Sequence, residues 1–526
     1  MLHSLAIIST LFGISSLAAA GSMAFFRNTG SSCPTHYTEW AGTPHAPFSA
    51  GPLRIPTMRP PPECRSFTSA AVEKELSRIS AQITDPDIRQ LFINIMPNTL
   101  DTAIAWHYAG GTKDKLDYPY TFVITGDINA QWTRDSTNQL LPLLPYAAAD
   151  ASLNTLIAGL VNMQAEQIAA YPFANAYKPP ARSGLVPGEN GWAKGDTVHP
   201  PFDLRTVFEA KFEIDSLAAF FKLSTAFWRQ QQQQQDTDSL LDMGVWRRAV
   251  TIAVELLVQL QAPTFDSEQR LTDATVRFVR TANTPTESSF GGGRGNPIRR
   301  TGMVRTLFRP SDDSVIFPFL VPANAMLAVE LRALADILDK TGDTTIASRS
   351  RRLAEDITHG IYEFGTAEHP KYGHVFAYEV DGYGSRLLMD DANVPSLLAL
   401  PYLGFVNATD PIYQNTRRML LSPDNPWYFS NGTSGLLNGI GSPHTGFRKV
   451  WPMSVAIQAL TSNDQQEIVE AVRVLAASTA GLGLMHESVD IDSANGNSFT
   501  RPWFAWCNGV VSELITRVVS EYPGLL

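Results

Sequence analysis

The sequence predicts an all-α fold, a toroid of helices in which long loops at one end build the functional site. Apolar residues recur at spacings of three and four in many segments, most clearly over residues 245–260 and 324–340. The loops between these segments are long and rich in Gly, Pro, Asn and Trp. Strand signals are few, and the best of them, residues 120–125 and 375–380, are short enough to form only minor β hairpins.

Residues 1–20 have the pattern of a secretory signal peptide. The apolar run 5–17 is too short to span a bilayer, and the small residues Ala18, Ala19 and Ala20 offer a cleavage site. No Lys or Arg precedes the run, so an uncleaved membrane anchor is the alternative. No later segment is long and apolar enough to span a bilayer, and we expect no stable membrane insertion after cleavage. The expected location is the secretory pathway or beyond it: extracellular, Golgi or vacuolar.

Residues 21–65 form a proline-rich segment. Repeated proline excludes regular helix and ladder hydrogen bonds, so we expect an extended arm. Cys33 and Cys64 lie in this segment, and an oxidising compartment would allow them to form a disulfide, with three free thiols as the alternative. Cys507 is expected to be a buried apolar thiol. Asn407 and Asn431 begin two N-glycosylation sequons, a short pattern that fits a secreted protein but also arises by chance.

Helical periodicity begins after Thr68 and Ser69, which are suitable N-caps, and continues to the end of the chain. We therefore assign residues 66–526 to a single domain. Further helices are predicted over residues 153–169, 213–229, 346–360, 395–404, 455–460, 465–477 and 510–519. The six glutamines at 230–235 either extend a helix end or form an insert.

Composition and motifs restrict the function classes. The 526 residues carry a formal net charge of −10, which argues against a general nucleic-acid binder because such proteins need a basic face. The 44% of apolar residues is enough for a large core. The sequence has no H-E-x-x-H, G-x-S-x-G or Walker pattern, and its histidines are too scattered for a dedicated metal site. We expect neither a metal nor a cofactor.

Five polar clusters interrupt the helical pattern, and they contain acids, Arg, His and aromatic residues. They cover residues 125–136, 309–313, 389–396, 441–454 and 485–506. The first cluster contains Asp127, Trp132, Arg134 and Asp135. Carboxylates accept hydrogen bonds from sugar hydroxyls, guanidinium groups donate to them and an indole stacks on the ring, so the cluster suits a sugar clamp. A salt bridge that ties down a loop is the alternative.

The second cluster contains two adjacent acids, Asp312 and Asp313. If one of them is desolvated, its pKa rises and it can stay protonated near neutrality, as a general acid must. Solvated acids in a capping loop are the alternative. In the third cluster, Asp391 either caps a helix start or binds sugar.

The last two clusters each contain a histidine. His444 lies in a Gly/Pro loop near Trp451 and could donate to a sugar hydroxyl, although a lone histidine is more often structural. Glu487 lies between apolar residues and an aromatic-rich run, where it can act as a general base, with His486 hydrogen-bonded to its surroundings. A buried Glu in a polar network is the alternative. With carboxylates and aromatics dominating all five clusters, the reaction that fits is glycoside cleavage by a carboxyl pair.

Together these motifs resemble glycoside hydrolase family 125, the exo-acting α-1,6-mannosidases of fungi and some bacteria. The resemblance rests on six motifs in the family's order: GDINAQWTRDS (126–136), RPSDD (309–313), MDDANVPSLLALPYLG (389–404), GSPH with WPMS (441–454), MHES (485–488) and FTRPWFAWCNG (499–509). The family more often has Met and Leu where this chain has Gln131 and Thr133, a difference that leaves the acids intact but could alter the pocket wall.

The resemblance implies an (α/α)6 toroid as the catalytic domain, an inverting mechanism and no catalytic metal. It assigns the general acid to an Asp of RPSDD, here Asp312 or Asp313, and the general base to Glu487. We prefer Asp313 as the acid and leave Asp312 to bind sugar or to orient the acid. The acid would protonate the departing oxygen while Glu487 deprotonates a water that attacks C1, which requires carboxyl groups about 6.5–9.5 Å apart.

Residues expected to bind the substrate are Asp127, Trp132, Arg134, Asp135, Asp391, His444, His486, Arg501 and Trp503. The expected partners are mannose-containing oligosaccharides or N-glycans. Two other classes of function remain open at this point: another toroid enzyme that acts on carbohydrates, such as a glucosidase or a lyase, and a non-catalytic mannan-binding protein on the same scaffold.

Overall fold

The computed structural model describes residues 33–34, 36–111, 117–234, 240–281, 287–435, 437–493 and 496–526, so the expected signal peptide lies outside the described residues. The α-helices in the described residues are α1 (Tyr37–Ala41), α2 (Ala70–Ser80), α3 (Pro86–Ile95), α4 (Asn98–Thr102), α5 (Thr133–Leu140), α6 (Ala151–Ala170), α7 (Ile214–Gln234), α8 (Met243–Gln259), α9 (Phe290–Gly293), α10 (Val321–Lys340), α11 (Thr344–Phe364), α12 (Pro411–Leu420), α13 (Pro452–Leu460), α14 (Gln465–Ala477) and α15 (Ala505–Glu521).

The strands are short and pair antiparallel in small sheets of two or three. They are β1 (Ile104–Tyr108), β2 (Tyr120–Val123), β3 (Gln131–Trp132), β4 (Ala176–Tyr177), β5 (Thr197–His199), β6 (Val207–Glu209), β7 (Arg277–Val279), β8 (Phe319–Leu320), β9 (Thr366–His369), β10 (Gly373–Phe376), β11 (Glu379–Val380), β12 (Arg386–Leu387), β13 (Tyr428–Phe429), β14 (Gly439–Ile440), β15 (Lys449–Val450), β16 (Ser488–Asp490) and β17 (Phe499–Thr500). Helices dominate, and the prediction of an all-α toroid with minor β hairpins is confirmed.

The helices form an inner and an outer layer. In the inner layer α5 packs on α7, α7 on α10, α13 on α15, and α15 returns to α5. These helices are buried on most sides, and every residue of α5 is buried although its sequence, TRDSTNQL, is polar. The outer helices contact water on one face: in α11 the buried residues Ala347, Ser350, Leu353, Ala354 and Ile357 follow the helical period.

Most predicted helices are present and begin a few residues earlier than the apolar pattern. Their first turns are fixed by caps, which carry no apolar signal. The Asp150 carboxylate accepts from two backbone N–H groups at the start of α6, and Asp242 does the same for α8. Ser69 caps α2 as expected.

The prediction of a helix over residues 395–404 is wrong, because this segment is a series of turns. The Asp390 carboxylate accepts hydrogen bonds from the N–H groups of Leu397 and Leu398, both at 2.9 Å. Pro401 has no N–H with which to continue a helix. The segment packs beside α10, since a Cβ added at Gly404 would lie 3.8 Å from Val329 Cγ1.

The proline-rich arm packs on the toroid, where the ring of Tyr37 lies edge-on to that of Trp503. The Tyr37 hydroxyl donates to the Met58 carbonyl oxygen at 3.0 Å, and both side chains are buried. The Sγ atoms of Cys33 and Cys64 are bonded at 2.02 Å, and Cys507 is a buried free thiol. The glutamine run extends α7 to Gln234, and residue 235 lies outside the described residues.

Within the described residues, no helix is both long and apolar enough to cross a membrane.

The arm is held to the toroid by a buried ion pair whose removal is testable. Arg59 Nε donates to Asp101 Oδ2 at 2.7 Å, and the Asp101 side chain is 2% exposed. Replacing Arg59 with Met leaves this buried carboxylate with only the longer ion pair to Arg65, at 3.6 Å, among the ion pairs that the structure describes. We therefore expect the free energy of unfolding at neutral pH to fall by about 3 kcal/mol in urea denaturation. Arg349→Met, which breaks a half-exposed pair with Glu255, should cost at most about 1 kcal/mol.

The deficit of the Arg59→Met variant should shrink as the pH falls. Burial raises the pKa of Asp101 against the charge of Arg59, and loss of Arg59 raises this pKa further. A carboxyl whose pKa is higher in the folded than in the unfolded state binds protons preferentially when folded, so acid favours folding of the variant relative to wild type. A deficit that stays constant from neutral to acidic pH would contradict this explanation.

Candidate active site

A cavity lies where the inner helices α5, α13 and α15 begin, at the end of the toroid that carries the long loops, and it encloses about 430 Å³ of space, part of which is open to solvent. Its lining residues are Thr125, Asp127, Ile128, Trp132, Arg134, Asp135, Pro310, Ser311, Asp312, Asn393, His444, Trp451, Glu487, Arg501, Phe504 and Trp506. They come from all five polar clusters of the sequence. The toroid therefore brings together residues that are far apart in the chain, such as Asp127 and Arg501, which are 374 positions apart and whose side chains lie at 2.5 Å.

One side of the cavity is built on the guanidinium of Arg134, in the first turn of α5. Arg134 is 4% exposed and lies within ion-pair distance of four carboxylates. The shortest distances from its nitrogens to the carboxylate oxygens are 2.5 Å to Glu213, 3.3 Å to Asp215, 3.3 Å to Asp135 and 3.8 Å to Asp312. Burial raises the pKa of Asp135 to about 6 in spite of the adjacent guanidinium.

The two acids of the 309–313 loop face different surroundings. Asp312 lines the cavity with its side chain 23% exposed. Its φ of 68° is in the left-handed region, which is uncommon outside glycine, and a hydrogen bond from Lys211 Nζ to the Asp312 carbonyl oxygen at 2.9 Å holds this conformation. Asp313 is 1% exposed and lies behind the cavity, with its Oδ1 3.6 Å from His444 Nδ1.

His444 carries a positive charge into the cavity. Burial alone would lower its pKa, but the negative charges around it, first that of Asp313 and then those of Glu487 and Asp312, raise its pKa to about 9. The imidazole is therefore protonated at neutral pH, with both ring nitrogens as donors.

The other side of the cavity is formed by Glu487 and Arg501, which flank the short strands β16 and β17. Arg501 Nε donates to Glu487 Oε1 at 3.2 Å, and its Nη1 donates to Asp127 Oδ1. Burial would raise the pKa of Glu487, but the charges of Arg501 and His444 outweigh it and hold this pKa below its usual range. Glu487 is therefore ionised at neutral pH.

Aromatic rings complete the lining. Trp132 precedes α5, and Trp451, Phe504 and Trp506 come from the starts of α13 and α15. The Arg134 guanidinium lies 5.4 Å from the ring centroid of Trp506. Flat apolar faces beside charged hydrogen-bonding groups are what a pyranose ring, with its apolar faces and equatorial hydroxyls, can use.

Three residues expected to bind the substrate lie outside the cavity lining. Trp503 is fully buried: its ring is edge-on to that of Tyr37, with centroids 4.6 Å apart, and packs so close to Gly126 that a Cβ there would lie 3.5 Å from it. His486 is fully buried and stacks on Phe499 at 3.9 Å. The sequence-based prediction placed Trp503 in the cavity lining, but the aromatic residue that lines the cavity is its neighbour Phe504.

Asp391 is the third of these residues. Its carboxylate is fully buried and accepts hydrogen bonds from the hydroxyls of Ser311 at 2.7 Å and Ser442 at 3.1 Å. It therefore joins the loop that carries Asp312 to the loop that carries His444. Burial raises the pKa of Asp391 to about 6, against the charge of Arg309.

Sequence reasoning missed a set of buried polar residues beneath Asp312: Asn175, Lys211, Glu213 and Asp215. The segment FEID at 212–215 alternates apolar and acidic residues across the start of α7, and two acids so close together at the start of a core helix were the available signal. Asn175 follows an ordinary loop sequence that gives no such indication.

Within the described residues, no group of three or more His, Cys, Asp or Glu side chains is arranged to hold a metal ion.

Comparisons with known proteins agree with one another. The family model described as metal-independent alpha-mannosidase (GH125) matches residues 85–516. The Meiotically up-regulated gene 157 protein of Schizosaccharomyces pombe is 47% identical over 496 residues, which are 94% of each chain.

A solved structure is also similar. It is a metal-independent α-mannosidase of Streptococcus pneumoniae in a non-productive complex with α-1,6-mannobiose. It matches with a TM-score of 0.76 and 31% identity, and the match covers 86% of this chain and 99% of that one. These matches agree with the fold and with the carboxylate-lined cavity. The chain therefore belongs to GH125, the family of metal-independent α-mannosidases.

Proposed function

We propose that the protein is an exo-acting α-mannosidase that removes terminal, non-reducing α-1,6-linked mannose with inversion of configuration. The observation that carries the proposal is that one cavity is lined by both Asp312 and Glu487, one acid from each motif that the family resemblance points to. The α-1,6 linkage is supported by the mannobiose bound to the Streptococcus pneumoniae relative. The expected substrates are mannose-containing oligosaccharides, including N-glycans.

In the proposed reaction Asp312 is the general acid and Glu487 the general base. Asp312 protonates the glycosidic oxygen as the C1–O bond breaks, and Glu487 removes a proton from the water that attacks C1 on the opposite face. Glu487 suits this role because its surroundings keep it ionised. The assignment of Asp312 departs from our sequence-based preference for Asp313, whose carboxyl lies behind the cavity beside His444.

The remaining cavity residues are proposed to hold the mannose ring. Arg501 and Asp127 form one hydrogen-bonding unit, and protonated His444 is a donor on a neighbouring loop. Trp132 and Phe504 offer ring faces to the sugar. Cleavage at a chain end rather than within a chain is what the family resemblance implies.

The assignment of acid and base is tested with α-1,6-mannobiose and NMR. Wild-type protein should release mannose first as the β-anomer, since a single displacement inverts C1. Glu487→Gln and Asp312→Asn should each lower kcat by at least about 100-fold, because general acid and base catalysis contribute about 10²–10⁴-fold each. The matched control Asp313→Asn should retain more activity than Asp312→Asn. Release of the α-anomer first would refute the single displacement.

The pH profile tests how Glu487 is kept ionised. Because the base must be deprotonated, kcat/KM falls on the acidic side as the pH passes below the pKa of Glu487. The Arg501 charge lowers this pKa, so Arg501→Met should move the acidic limb to higher pH by about 1 unit or more, besides lowering the rate. An acidic limb that keeps its position in the variant would show that Arg501 does not set the charge state of the base.

We also propose that the protein enters the secretory pathway and is N-glycosylated there. The proposal is supported by the apolar segment 1–20, by the Cys33–Cys64 disulfide, which suits an oxidising compartment, and by the exposed positions of Asn407 and Asn431. Enzymatic removal of N-glycans should lower the mass of the protein made in its own cells, and Asn407→Gln with Asn431→Gln should abolish this change. An unchanged mass, with residue 1 retained, would contradict the proposal.

A further inference from the structure

We propose that Asp312 and Glu213 share a single proton, and that Glu213 is a positioning residue that stores this proton for Asp312 to deliver to the leaving group. The inference rests on the proposed function, in which Asp312 is the general acid, and adds to it the source of the acid's proton. Glu213 lies immediately before α7, beneath the cavity, and its side chain is fully buried.

The first argument is a count of charges. Arg134 is the shared ion-pair partner of Glu213, Asp215, Asp135 and Asp312. The side chains of Glu213, Asp215 and Asp135 are buried and that of Asp312 is 23% exposed. Four ionised carboxylates around one guanidinium would therefore leave a large uncompensated negative charge, most of it away from water. Lys211, 3% exposed, adds one positive charge close to Asp312 but does not balance the sum. At least one carboxyl of the group therefore retains its proton at neutral pH.

The second argument identifies the carboxyl group that lies next to the acid. Glu213 and Asp312 are both ion-pair partners of Arg134, with carboxylate oxygens 2.5 Å from its Nη1 and 3.8 Å from its Nη2, respectively. Asn175 Nδ2 lies between them, 3.2 Å from Glu213 Oε1 and 3.5 Å from Asp312 Oδ1. The backbone N–H of Lys211 donates to Asn175 Oδ1 at 3.1 Å and so turns the amide donors of Asn175 toward the pair.

The third argument concerns where the proton rests. Burial raises the pKa of Glu213 well above its usual value, and the charge of Asp312 raises it further against that of Arg134. Burial alone would also raise the pKa of Asp312, but the charges of Lys211 and Arg134 outweigh it and hold this pKa low. Before the reaction begins, the shared proton therefore rests on Glu213. The polar and charged groups that face Glu213 are Arg134 from α5, Asp215 and Ser216 from α7, Asn175, and Asp312.

The steps balance as follows. The Glu213 carboxyl passes its proton to the Asp312 carboxylate, and Asp312 transfers it to the glycosidic oxygen as that oxygen takes the electron pair of the C1–O bond. The attacking water gives one proton to Glu487. After the sugar products leave, Glu487 releases that proton to solvent and the Asp312–Glu213 pair takes one up, so the enzyme returns to its starting state.

The experiment compares two substrates that differ in their need for an acid. In α-1,6-mannobiose the leaving sugar oxygen must be protonated by a general acid, whereas the fluoride that leaves from α-mannosyl fluoride needs little protonation. For Glu213→Gln we expect kcat/KM on the mannobiose to fall by about 100-fold or more, and on the fluoride by less than about 5-fold. The control Glu330→Gln removes a buried carboxyl on α10 that lies outside the cavity lining, and it should leave the ratio of the two rates unchanged.

The pH profile gives a second readout that a purely structural role would not change. In wild type, loss of the shared proton would create two adjacent negative charges. The pair therefore keeps the proton up to a higher pH than Asp312 would if it stood alone. In Glu213→Gln, Asp312 is left with Lys211 and Arg134, so the alkaline limb on mannobiose should move to lower pH. If this variant does not fold, Glu213→Asp, which withdraws the carboxyl by one methylene, is measured in the same way.

The outcomes separate this inference from the function on which it rests. Equal losses on both substrates with an unchanged alkaline limb, or no loss on either, would overturn the role of Glu213. Asp312→Asn serves as the reference for a missing acid. If wild type hydrolyses neither substrate, or if Asp312→Asn shows no preference for the fluoride, the proposed function itself fails, whatever Glu213 does.

Discussion

The buried guanidinium of Arg134 is the interaction on which the catalytic end of the toroid depends. It belongs to α5, and its carboxylate partners come from the start of α7 and from the 309–313 loop. These elements meet at one charged centre, so a change in one of them displaces the others. This also helps to explain how α5 can be polar and yet fully buried, because many of its polar groups have partners inside the protein: Asn138 donates to the Arg134 carbonyl oxygen at 2.8 Å, and Gln139 donates to the Ile124 carbonyl oxygen at 3.0 Å.

The charges are distributed unevenly across the cavity, and this asymmetry separates the proposed roles of the two acids. On one side carboxylates outnumber cations, so a proton is retained by the Asp312–Glu213 pair. On the other side Arg501 and His444 place two positive charges near Glu487 and keep it ionised. An inverting glycosidase needs such a pair, one carboxyl protonated and one not, and neighbouring charge rather than residue type decides which is which.

The sequence allowed prediction of the features with a strong local signal. Amphipathic helices such as α8 and α11 could be predicted from apolar periodicity. The site residues Asp312, Arg134 and Glu487 could be predicted because they are charged residues among apolar and aromatic ones. Helix α5 has no apolar stripe, because its partners are polar, and periodicity could not reveal it. Which member of the 312–313 doublet faces the cavity depends on the left-handed backbone at Asp312, a conformation that tertiary contacts impose. The burial of Trp503 and His486 has the same origin, since each packs on residues distant in the chain or on a neighbouring strand.

The most direct measurement of the central claim is neutron diffraction from crystals grown in deuterated solvent at neutral pH, which locates protons on individual carboxyl oxygens. The account predicts one deuteron between Glu213 and Asp312 and none on Glu487. A fully ionised Glu213–Asp312 pair, or a deuteron on Glu487, would contradict it.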